Sequence, residues 1–256
     1  MEQGSIETGV VLQGFVPVRK DPHERSEMVT QVLFGEYVDI DDEAGLWLHI
    51  RAHLDQYEGW VDKKCIYRTE QMHAAAYYVC RENIRIRNLT DGYSVILPIG
   101  SSVPELTDGA FELGGKQFSV GENSSLAKPG ALSAEALFPG LVSVPYLWGG
   151  RCGYGFDCSG LTQFLCRVNG REIPRDASDQ SGMGQTLSFM EEVQTGDLAF
   201  FDNTEGMIHH VGMMSGKDRI IHASGIVRID KIDQQGIYNE ELGKYTHKLR
   251  VLKRIK

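Results

Sequence analysis

The N-terminal part of the chain alternates apolar and polar side chains in short runs that turn-forming residues interrupt. The alternation is clear at Val29, Gln31 and Leu33, after the polar turn DPHERSE. A period of two residues is typical of strands with one buried face. The segment from about Gly9 to Tyr67 therefore predicts a small barrel of short, half-buried strands.

A second, weaker copy of this pattern runs from about Ala75 to Ala127. ENIRIRN stands where PVRKDP stood, and SVILPIGSSVPE and GKQFSVG follow it. Similar segments in tandem indicate a structural repeat, so we expect two barrels. The run NSSLAKPGALS is rich in small and polar residues and predicts a linker.

From about Ala134 the pattern predicts helices first and strands later. EALFPGLVSV predicts a short helix, and the glycine-rich PYLWGGRCGYGFDCSG leads into an apolar helix, CSGLTQFLCRV. The runs DLAFF, HHVGMMSG and RIIHASG predict strands, with RVLKRI as a possible fourth. Helices followed by antiparallel strands are typical of an α+β fold. The expected domains are two barrels, at residues 1–70 and 71–133, and an α+β domain at residues 134–256.

Composition narrows the classes of partner. The chain has 256 residues, 41% of them hydrophobic, and a formal charge of -9 without a lysine or arginine run. A surface that follows a nucleic-acid backbone therefore has no electrostatic basis. No apolar stretch approaches the roughly 20 residues of a membrane helix. The start MEQGSIETGVVLQG lacks the features of a signal peptide, which predicts a cytoplasmic protein. If Met1 is not the natural start, a periplasmic or secreted protein that has lost its signal is the alternative.

Five cysteines, without a CxxC pair, argue against both a disulfide framework and a structural zinc site. Cys158 begins the predicted apolar helix, where the unpaired N–H groups favour a thiolate of lowered pKa and can stabilise an oxyanion. The alternative is a small buried hydrophobic residue, which is our prediction for Cys166 on the same helix. Cys65 and Cys80 lie in the barrel segments without a histidine partner in sequence, and Cys152, in the glycine loop, does not begin a helix.

Three of the eight histidines are candidates for a base beside Cys158. His209 and His210 are neighbours in one predicted strand, so their side chains point to opposite faces and only one can meet the thiol. His222 lies 12 residues after His210, in the next predicted strand, where it can lie beside either. A cysteine, a histidine and a polar residue that orients the histidine form an activated nucleophile. The remaining histidines lie in turns or on polar strand faces and are predicted to be solvated: His23, His49, His53, His73 and His247.

Four segments together resemble a known enzyme family. FDCSGLTQF, TGDLAFF, HHVGMM and IIHAS resemble, in order and spacing, the catalytic core of the NlpC-type cysteine peptidases, over about residues 134–235. The resemblance implies a papain-like α+β domain in which Cys158 is the nucleophile, His210 the base and His222 the residue that orients its imidazole. It implies no metal or other cofactor.

The barrel segments carry a second resemblance. The VRKDP turn, the FGE before the central strand and the GWV that closes the segment resemble bacterial SH3-like barrels. Two such barrels ahead of an NlpC-type core resemble the recycling dipeptidyl-peptidases of type VI. These cut free murein peptides of the form L-Ala-γ-D-Glu-diamino acid. The implied partner is a murein tripeptide or tetrapeptide with a free N-terminal L-Ala.

The same resemblance implies a role for Asp157 opposite the substrate's amine and for Arg175 opposite the α-carboxylate of the D-glutamyl unit. Glu36 and Tyr57 of the first barrel would close over the amine. The full implied set of substrate-binding residues is Glu36, Tyr57, Tyr146, Trp148, Asp157, Ser159, Arg175 and Asp176.

Structural interpretations of these residues stay open. Asp157 can be a helix cap, Tyr146 and Trp148 can be core aromatics, and Glu36 can be a solvated residue. Ala177 stands where this subgroup usually has a serine, which leaves one hydrogen bond of the pocket in question.

Two other functions compete with recycling. An endopeptidase acting on intact wall would use the barrels to bind the polymer, but the acidic chain without a visible export signal argues against it. A non-catalytic wall-binding module is disfavoured because Cys158, His210 and His222 are all present.

Overall fold

The computed structural model describes residues 7–70, 72, 77–121, 125–131 and 133–255. The chain forms two compact units, Met1–Lys128 and Pro129–Lys256. Within the described ranges, no helix has the length and apolar character that crossing a membrane requires.

The first unit begins with one antiparallel sheet of seven strands, in the order β3-β2-β6-β5-β4-β1-β7. Its inward side chains, Val18, Val38 and Ile50 among them, form an aliphatic core. The strands are β1 (Glu7–Val10), β2 (Phe15–Arg19), β3 (Met28–Leu33), β4 (Tyr37–Ala44), β5 (Trp47–Ala52), β6 (Glu58–Asp62) and β7 (Tyr67–Arg68).

The predicted alternation fails at the end of β3. Gln31 is 0% exposed and its neighbours on either side are also buried, so the strand is covered on both faces there. Val32 packs in the core of the first barrel, whereas Phe34, just beyond the strand, joins the core of the barrel that follows. The expectation of a half-buried strand is therefore wrong here, because side chains on both faces of residues 30–33 are buried.

The second barrel is small and consists of two sheets, in the orders β10-β9-β13-β12 and β11-β8-β14. Phe34 from the first barrel packs edge-on against Phe118, with ring centroids 5.4 Å apart, so the two barrels share a hydrophobic core. The strands are β8 (Tyr77–Cys80), β9 (Ile84–Asn88), β10 (Ser94–Leu97), β11 (Ser102–Pro104), β12 (Ala110–Leu113), β13 (Lys116–Val120) and β14 (Leu126–Ala127).

The second unit is built around a seven-stranded antiparallel sheet in the order β17-β23-β18-β19-β20-β21-β22, which closes on itself because β22 also pairs with β23. The helices are α1 (Phe138–Leu141), α2 (Cys158–Val168) and α3 (Ala177–Ser181). A short hairpin of β15 (Arg151–Cys152) and β16 (Gly155–Phe156) precedes α2. The sheet strands are β17 (Gln185–Leu187), β18 (Leu198–Asp202), β19 (Ile208–Met214), β20 (Arg219–Ser224), β21 (Ile226–Asp233), β22 (Gly236–Asn239) and β23 (Lys244–Arg254).

Most elements of this unit follow the sequence pattern. The helix predicted for CSGLTQFLCRV is confirmed as α2, and strands cover HHVGMM, RIIHAS, DLAFF except Asp197, and RVLKRI except Ile255. The sequence pattern did not single out β21 and β22. Helix α2 packs on β19 and β20, which brings the start of the helix to the histidine-bearing strands.

Candidate active site

Asp157 fixes the start of helix α2. Its carboxylate caps the helix by accepting a hydrogen bond from the backbone N–H of Gly160 (2.7 Å) and also accepts one from Gly149 (2.9 Å). A β-carbon on Gly160 would lie 2.2 Å from the carbonyl oxygen of Gly150, so this turn has no room for a side chain. The capping interpretation of Asp157 is confirmed, and it places Cys158 at the first helical position.

Cys158 is largely buried, with 8% of its surface exposed. Burial raises the pKa of its thiol to about 11, and the charge of Asp157 acts in the same direction. The hydrogen bond from the backbone N–H of Val211 and the charge of Arg175 oppose this rise without cancelling it. The prediction of a lowered pKa is therefore wrong, because desolvation outweighs the helix start. The thiol needs a base to ionise at neutral pH.

The thiol lies against the strand that carries the paired histidines, since Val211 directly follows His210. His210 is buried and His209 is exposed, as their adjacent positions in one strand require. His210 Nε2 lies 2.9 Å from Nδ1 of His222, so the predicted proximity of these two side chains is confirmed. Burial lowers the pKa of His210 well below its usual value, and the nearby histidines add to this effect.

Gly212 explains how β20 approaches β19 so closely. It pairs directly with His222 across the two strands, and a β-carbon there would lie 2.9 Å from the β-carbon of His222. The HHVG sequence therefore supplies both a buried imidazole and the space beside it for a second one.

His247 belongs to this site, against the prediction of a solvated surface residue. It is half-buried, and its ring stacks on that of His210 with centroids 4.1 Å apart and an interplanar angle of 24°. Burial, together with His222 and His209, lowers its pKa to about 4. The prediction of a solvated histidine fails because β23 returns from the C-terminus to pair with β18, beside β19.

The ring nitrogens of His210, His222 and His247 lie within 4.8 Å of one another, which is the spacing that a metal ion would need. An imidazole binds a metal through a lone pair in the plane of its ring. Because the rings of His210 and His247 are stacked and nearly parallel, their in-plane lone pairs do not point to a common position between them. This arrangement is a stack of rings and not a set of converging ligands.

The other predicted surface histidines differ among themselves. His23 is exposed, whereas His49 and His53 are half-buried beside Asp41 (2.6 Å) and Asp39 (2.7 Å). His73 lies outside the described residues. The five cysteines, all of them among the described residues, form no disulfide, and Cys166 is buried as predicted.

Arg175 and Asp157 form a buried ion pair beside the thiol. Both oxygens of Asp157 accept from the guanidinium, and Ser159 Oγ accepts a further bond from Arg175 at 2.8 Å. Arg175 is only 2% exposed. Charges of opposite sign thus lie together at the start of α2. A substrate that bound here would contact Asp157 or Arg175 in addition to the ion pair that these two residues already form.

The aromatic residues before the glycine loop are not core residues. Trp148 is 60% exposed, which rules out the core interpretation. Tyr146 is half-buried, and burial followed by the charges of Cys158 and Asp157 raises the pKa of its hydroxyl to about 12. The hydroxyl therefore stays protonated and can donate a hydrogen bond near the thiol.

Asp176 stands at the start of α3, directly after Arg175. Ala177 is buried and Ser178 is exposed, so the serine one place later does not replace the usual one. Gln180, which the sequence analysis did not single out, links the two helices: it donates to the carbonyl of Ser159 (3.1 Å) and accepts from a threonine of α2.

Glu36 and Tyr57 belong to the first compact unit. Glu36 is 5% exposed and accepts a hydrogen bond from the backbone N–H of Leu33 (3.0 Å), so it is not the solvated residue that the alternative interpretation described. Tyr57 is half-buried in the turn between β5 and β6. Their roles toward a substrate stay predictions.

Two family models match the chain: the NlpC/P60 family over residues 143–247, and the bacterial dipeptidyl-peptidase Sh3 domain over residues 18–66. The first matches the unit that holds the cysteine and the histidines. The second matches the first barrel, which is therefore a bacterial SH3 domain.

Two relatives are similar over most of the chain. A "gamma-D-glutamyl-L-lysine dipeptidyl-peptidase" of Bacillus subtilis (strain 168) is 31% identical over 221 residues, which are 76% of this chain and 71% of the relative. A protein of the same name from Bacillus cereus (strain ATCC 10987 / NRS 248) is 28% identical over 257 residues, covering 85% and 74% of the two chains.

Among solved structures, an NlpC/P60 family protein from Bacillus cereus ATCC 10987 superposes with a TM-score of 0.80 at 19% identity. The match covers 96% of this chain and 99% of the other, and at this identity it shows a shared fold alone. The sequence relationship, the family match and the cysteine at the helix start together show that the chain belongs to the NlpC/P60 family of cysteine peptidases.

Proposed function

We propose that the protein hydrolyses the bond between the γ-D-glutamyl residue and the diamino acid of free murein peptides, releasing the dipeptide L-Ala-γ-D-Glu. The observation that carries this proposal is that Cys158 lies directly beside the buried pair of Asp157 and Arg175. A nucleophile thus stands next to a site with charges of both signs. The names of the two relatives, both γ-D-glutamyl-L-lysine dipeptidyl-peptidases, support the same bond.

The reaction needs one base that acts twice. His210 accepts the proton of the Cys158 thiol while the sulfur attacks the carbonyl carbon of the γ-glutamyl bond. The C–N bond then breaks, and His210 returns the proton to the departing amine of the diamino acid, which leaves a thioester. Water gives a proton to His210 and adds to the thioester, which releases the dipeptide as its carboxylic acid and regenerates the thiol.

Two kinds of donor are available for the oxyanion that forms in each attack. The N–H groups at the start of α2 are not used by the helix itself. The hydroxyl of Tyr146, whose pKa of about 12 keeps it protonated, lies close enough to Cys158 to be affected by the charge of the sulfur. Removal of this hydroxyl is expected to slow the chemical step.

The substrate's N-terminal dipeptide carries an ammonium group and an α-carboxylate, which match the opposite charges of Asp157 and Arg175. Because Arg175 already balances Asp157, an ammonium group needs further negative charge, and Glu36 is our candidate for it. In intact wall the nitrogen of L-Ala is amide-linked and uncharged. Polymer is therefore a poor substrate.

The test compares kcat/KM for the free tripeptide L-Ala-γ-D-Glu-diamino acid with that of its N-acetyl form, with intact sacculi as a third substrate and mass spectrometry of the products. We expect the free peptide to be cut at least about 100-fold more efficiently, since a lost charge-assisted contact costs roughly 3 kcal/mol. Glu36→Gln should narrow this gap by slowing the free peptide, and Cys158→Ala is the inactive control. Similar rates for the free and acetylated peptides would favour an endopeptidase of intact wall.

We also propose that the second barrel is a diverged SH3-like repeat and that the protein works on released peptides in the cytoplasm. Support for the repeat comes from strand order: β3-β2-β6-β5 in the first barrel corresponds to β10-β9-β13-β12 in the second. In each case the strand that carries PVR or IRIRN pairs with the strand that follows it.

A further inference from the structure

The hydrogen-bonded histidine pair continues into two residues of β21. His222 Nε2 lies 3.1 Å from Oδ2 of Asp230. Arg228 donates to both oxygens of the same carboxylate, at 2.7 Å and 3.0 Å. A continuous chain therefore runs from His210 through His222 and Asp230 to Arg228.

The register of the sheet makes this chain possible. Gly212 of β19 pairs with His222 of β20, and His222 pairs with Arg228 of β21. Directly paired residues in an antiparallel sheet share one face, and so do residues two apart on one strand. His210, His222 and Asp230 accordingly lie on the same face of three neighbouring strands.

Asp230 is held in its ionised form. Burial would raise the pKa of its carboxyl, but the hydrogen bonds from His222 and Arg228 outweigh burial and lower that pKa. An ionised carboxylate only accepts hydrogen bonds. His222 must therefore carry its proton on Nε2, the atom that faces Asp230.

The position of the proton on His222 determines which ring nitrogen of His210 carries a proton. A neutral imidazole has one N–H and one lone pair, so Nδ1 of His222 is an acceptor. The nitrogen facing it, Nε2 of His210, must then be the donor. This leaves the lone pair of His210 on Nδ1, where it can accept a proton.

We propose that Asp230, held by Arg228, is a positioning residue that fixes the tautomer of His222 and thereby leaves Nδ1 of His210 as the proton acceptor. Asp230 does not touch the reacting atoms and acts only through His222. Its negative charge also stabilises the histidine pair when His210 has taken the proton of the thiol.

The tautomer can be observed in the unmodified protein by nitrogen-15 NMR of the histidine side chains at neutral pH. We expect His222 to be protonated on Nε2 and unprotonated on Nδ1, and His210 to show the same tautomer. A proton on Nδ1 of His222 would overturn the proposal. This measurement does not involve a substrate, so its outcome is independent of the proposed function.

The kinetic test rests on the proposed function and uses the free tripeptide as substrate. Asp230→Asn should lower kcat by about 100-fold or more with KM little changed, because the residue acts on the base and not on the substrate. The matched control is Asp233→Asn on the same strand, whose carboxylate is exposed and accepts from Tyr245. That variant should keep wild-type kcat.

A double mutant separates positioning from a general structural role. In His222→Gln, the carbonyl of the glutamine accepts from His210 directly, so the tautomer no longer depends on Asp230. Adding Asp230→Asn to His222→Gln should therefore change kcat by less than about threefold. If the double variant instead lost kcat by the product of the two single-variant losses, the proposal would be overturned. It would also be overturned if Asp230→Asn were folded and had kcat within threefold of the wild type.

Discussion

The ring of His247 lies face to face with that of His210, with centroids 4.1 Å apart and planes 24° from parallel. His247 also lies edge-on to His222, at 5.7 Å between centroids. The candidate base is thus held by a hydrogen bond at its edge and by a second ring over its face. The stack restricts rotation of His210 about its side-chain bonds.

Replacing His247 should show whether the stacked ring or its ionisable group matters. His247→Phe keeps a flat ring, and we expect it to lower kcat less than His247→Ala. The alanine variant should lose about tenfold, since an aromatic pair contributes roughly 0.5–1.5 kcal/mol beyond the area that it buries. Steady-state kinetics with the free tripeptide measure the difference. Equal kcat values for both variants would mean that the stack does not position the base.

Acid should destabilise the fold through the same two histidines. The pKa of His210 is lowered well below its usual value and that of His247 to about 4, so the folded protein keeps both neutral where an unfolded chain binds protons. The free energy of unfolding should therefore fall as pH drops from about 6.5 to 4, by up to about 1.4 kcal/mol per pH unit for each histidine.

Guanidinium unfolding at pH 7 and pH 5 measures this loss. His247→Phe should lose less stability between the two pH values than the wild type, because it removes one of the two groups. The exposed His23 of the first unit provides the control, since His23→Gln removes a histidine outside this cluster and should leave the difference unchanged. The same pH dependence in His247→Phe and in the wild type would contradict the assignment.

Thiol chemistry should be concentrated at Cys158. Among the cysteines, Cys158 lies at a helix start beside a histidine strand, whereas Cys152 and Cys166 are fully or almost fully buried. Iodoacetamide should label Cys158 faster than the more deeply buried Cys152 and Cys166, and Cys158→Ala should abolish turnover while the protein still folds. With a pKa of about 11, the labelling rate should keep rising with pH above 8. Equal labelling of Cys152, with activity retained in Cys158→Ala, would remove the nucleophile from this site.

The three clustered histidines of β19 and β20 should differ in importance. His210→Ala should be as inactive as Cys158→Ala, because it removes the proton acceptor. His222→Gln should keep part of the activity, since a glutamine carbonyl can still accept from His210. His209→Ala should matter little because this side chain is exposed and its ring lies 6.2 Å from that of His247, farther than the 4.1 Å between His210 and His247. An inactive His209→Ala enzyme would show that His209, and not His210, is the base.

How far the sequence could predict this site depends on how local each contact is. Helix α2 and the strands of DLAFF, HHVGMM and RIIHAS were predictable, since periodicity and flanking turns are encoded within each segment. The pairing of His210 with His222 was predictable because their strands are consecutive. Both predictions needed only neighbouring elements.

The missed residues depend on longer-range packing. Asp230 lies among apolar and charged residues in IVRIDKID, and a strand with a buried carboxylate at this position has the same sequence pattern as one with a solvated carboxylate. His247 lies in YTHKLR, a mostly exposed polar run in which the histidine becomes half-buried when β23 pairs with β22 and β18, elements that lie far apart along the chain. The prediction that the pKa of Cys158 is lowered was wrong for a related reason. The sequence shows that Cys158 begins a helix, but it does not show how deeply the thiol is buried.

The last prediction compares two ion pairs of the catalytic unit. Arg175 and Asp157 are nearly inaccessible to solvent, with side chains 2% and 9% exposed, whereas Lys231 and Glu240 are about half exposed at a separation of 2.6 Å. Removing one partner of a buried pair leaves an uncompensated charge and costs roughly 3–5 kcal/mol. An exposed pair contributes about 0–1 kcal/mol. Arg175→Met should therefore lower the free energy of unfolding far more than Lys231→Met.

Arg175→Met should also change the pKa of the Cys158 thiol. Without Arg175, the charge of Asp157 acts on Cys158 unopposed, so the pKa of the thiol should rise further and iodoacetamide labelling at pH 8 should slow. Restoring neutrality in the double variant Asp157→Asn, Arg175→Met should recover part of both the stability and the labelling rate, although the cap then accepts through a neutral oxygen. If Arg175→Met labelled as fast as Lys231→Met, the ion pair would not control the nucleophile, and Arg175 would be left with substrate binding as its role.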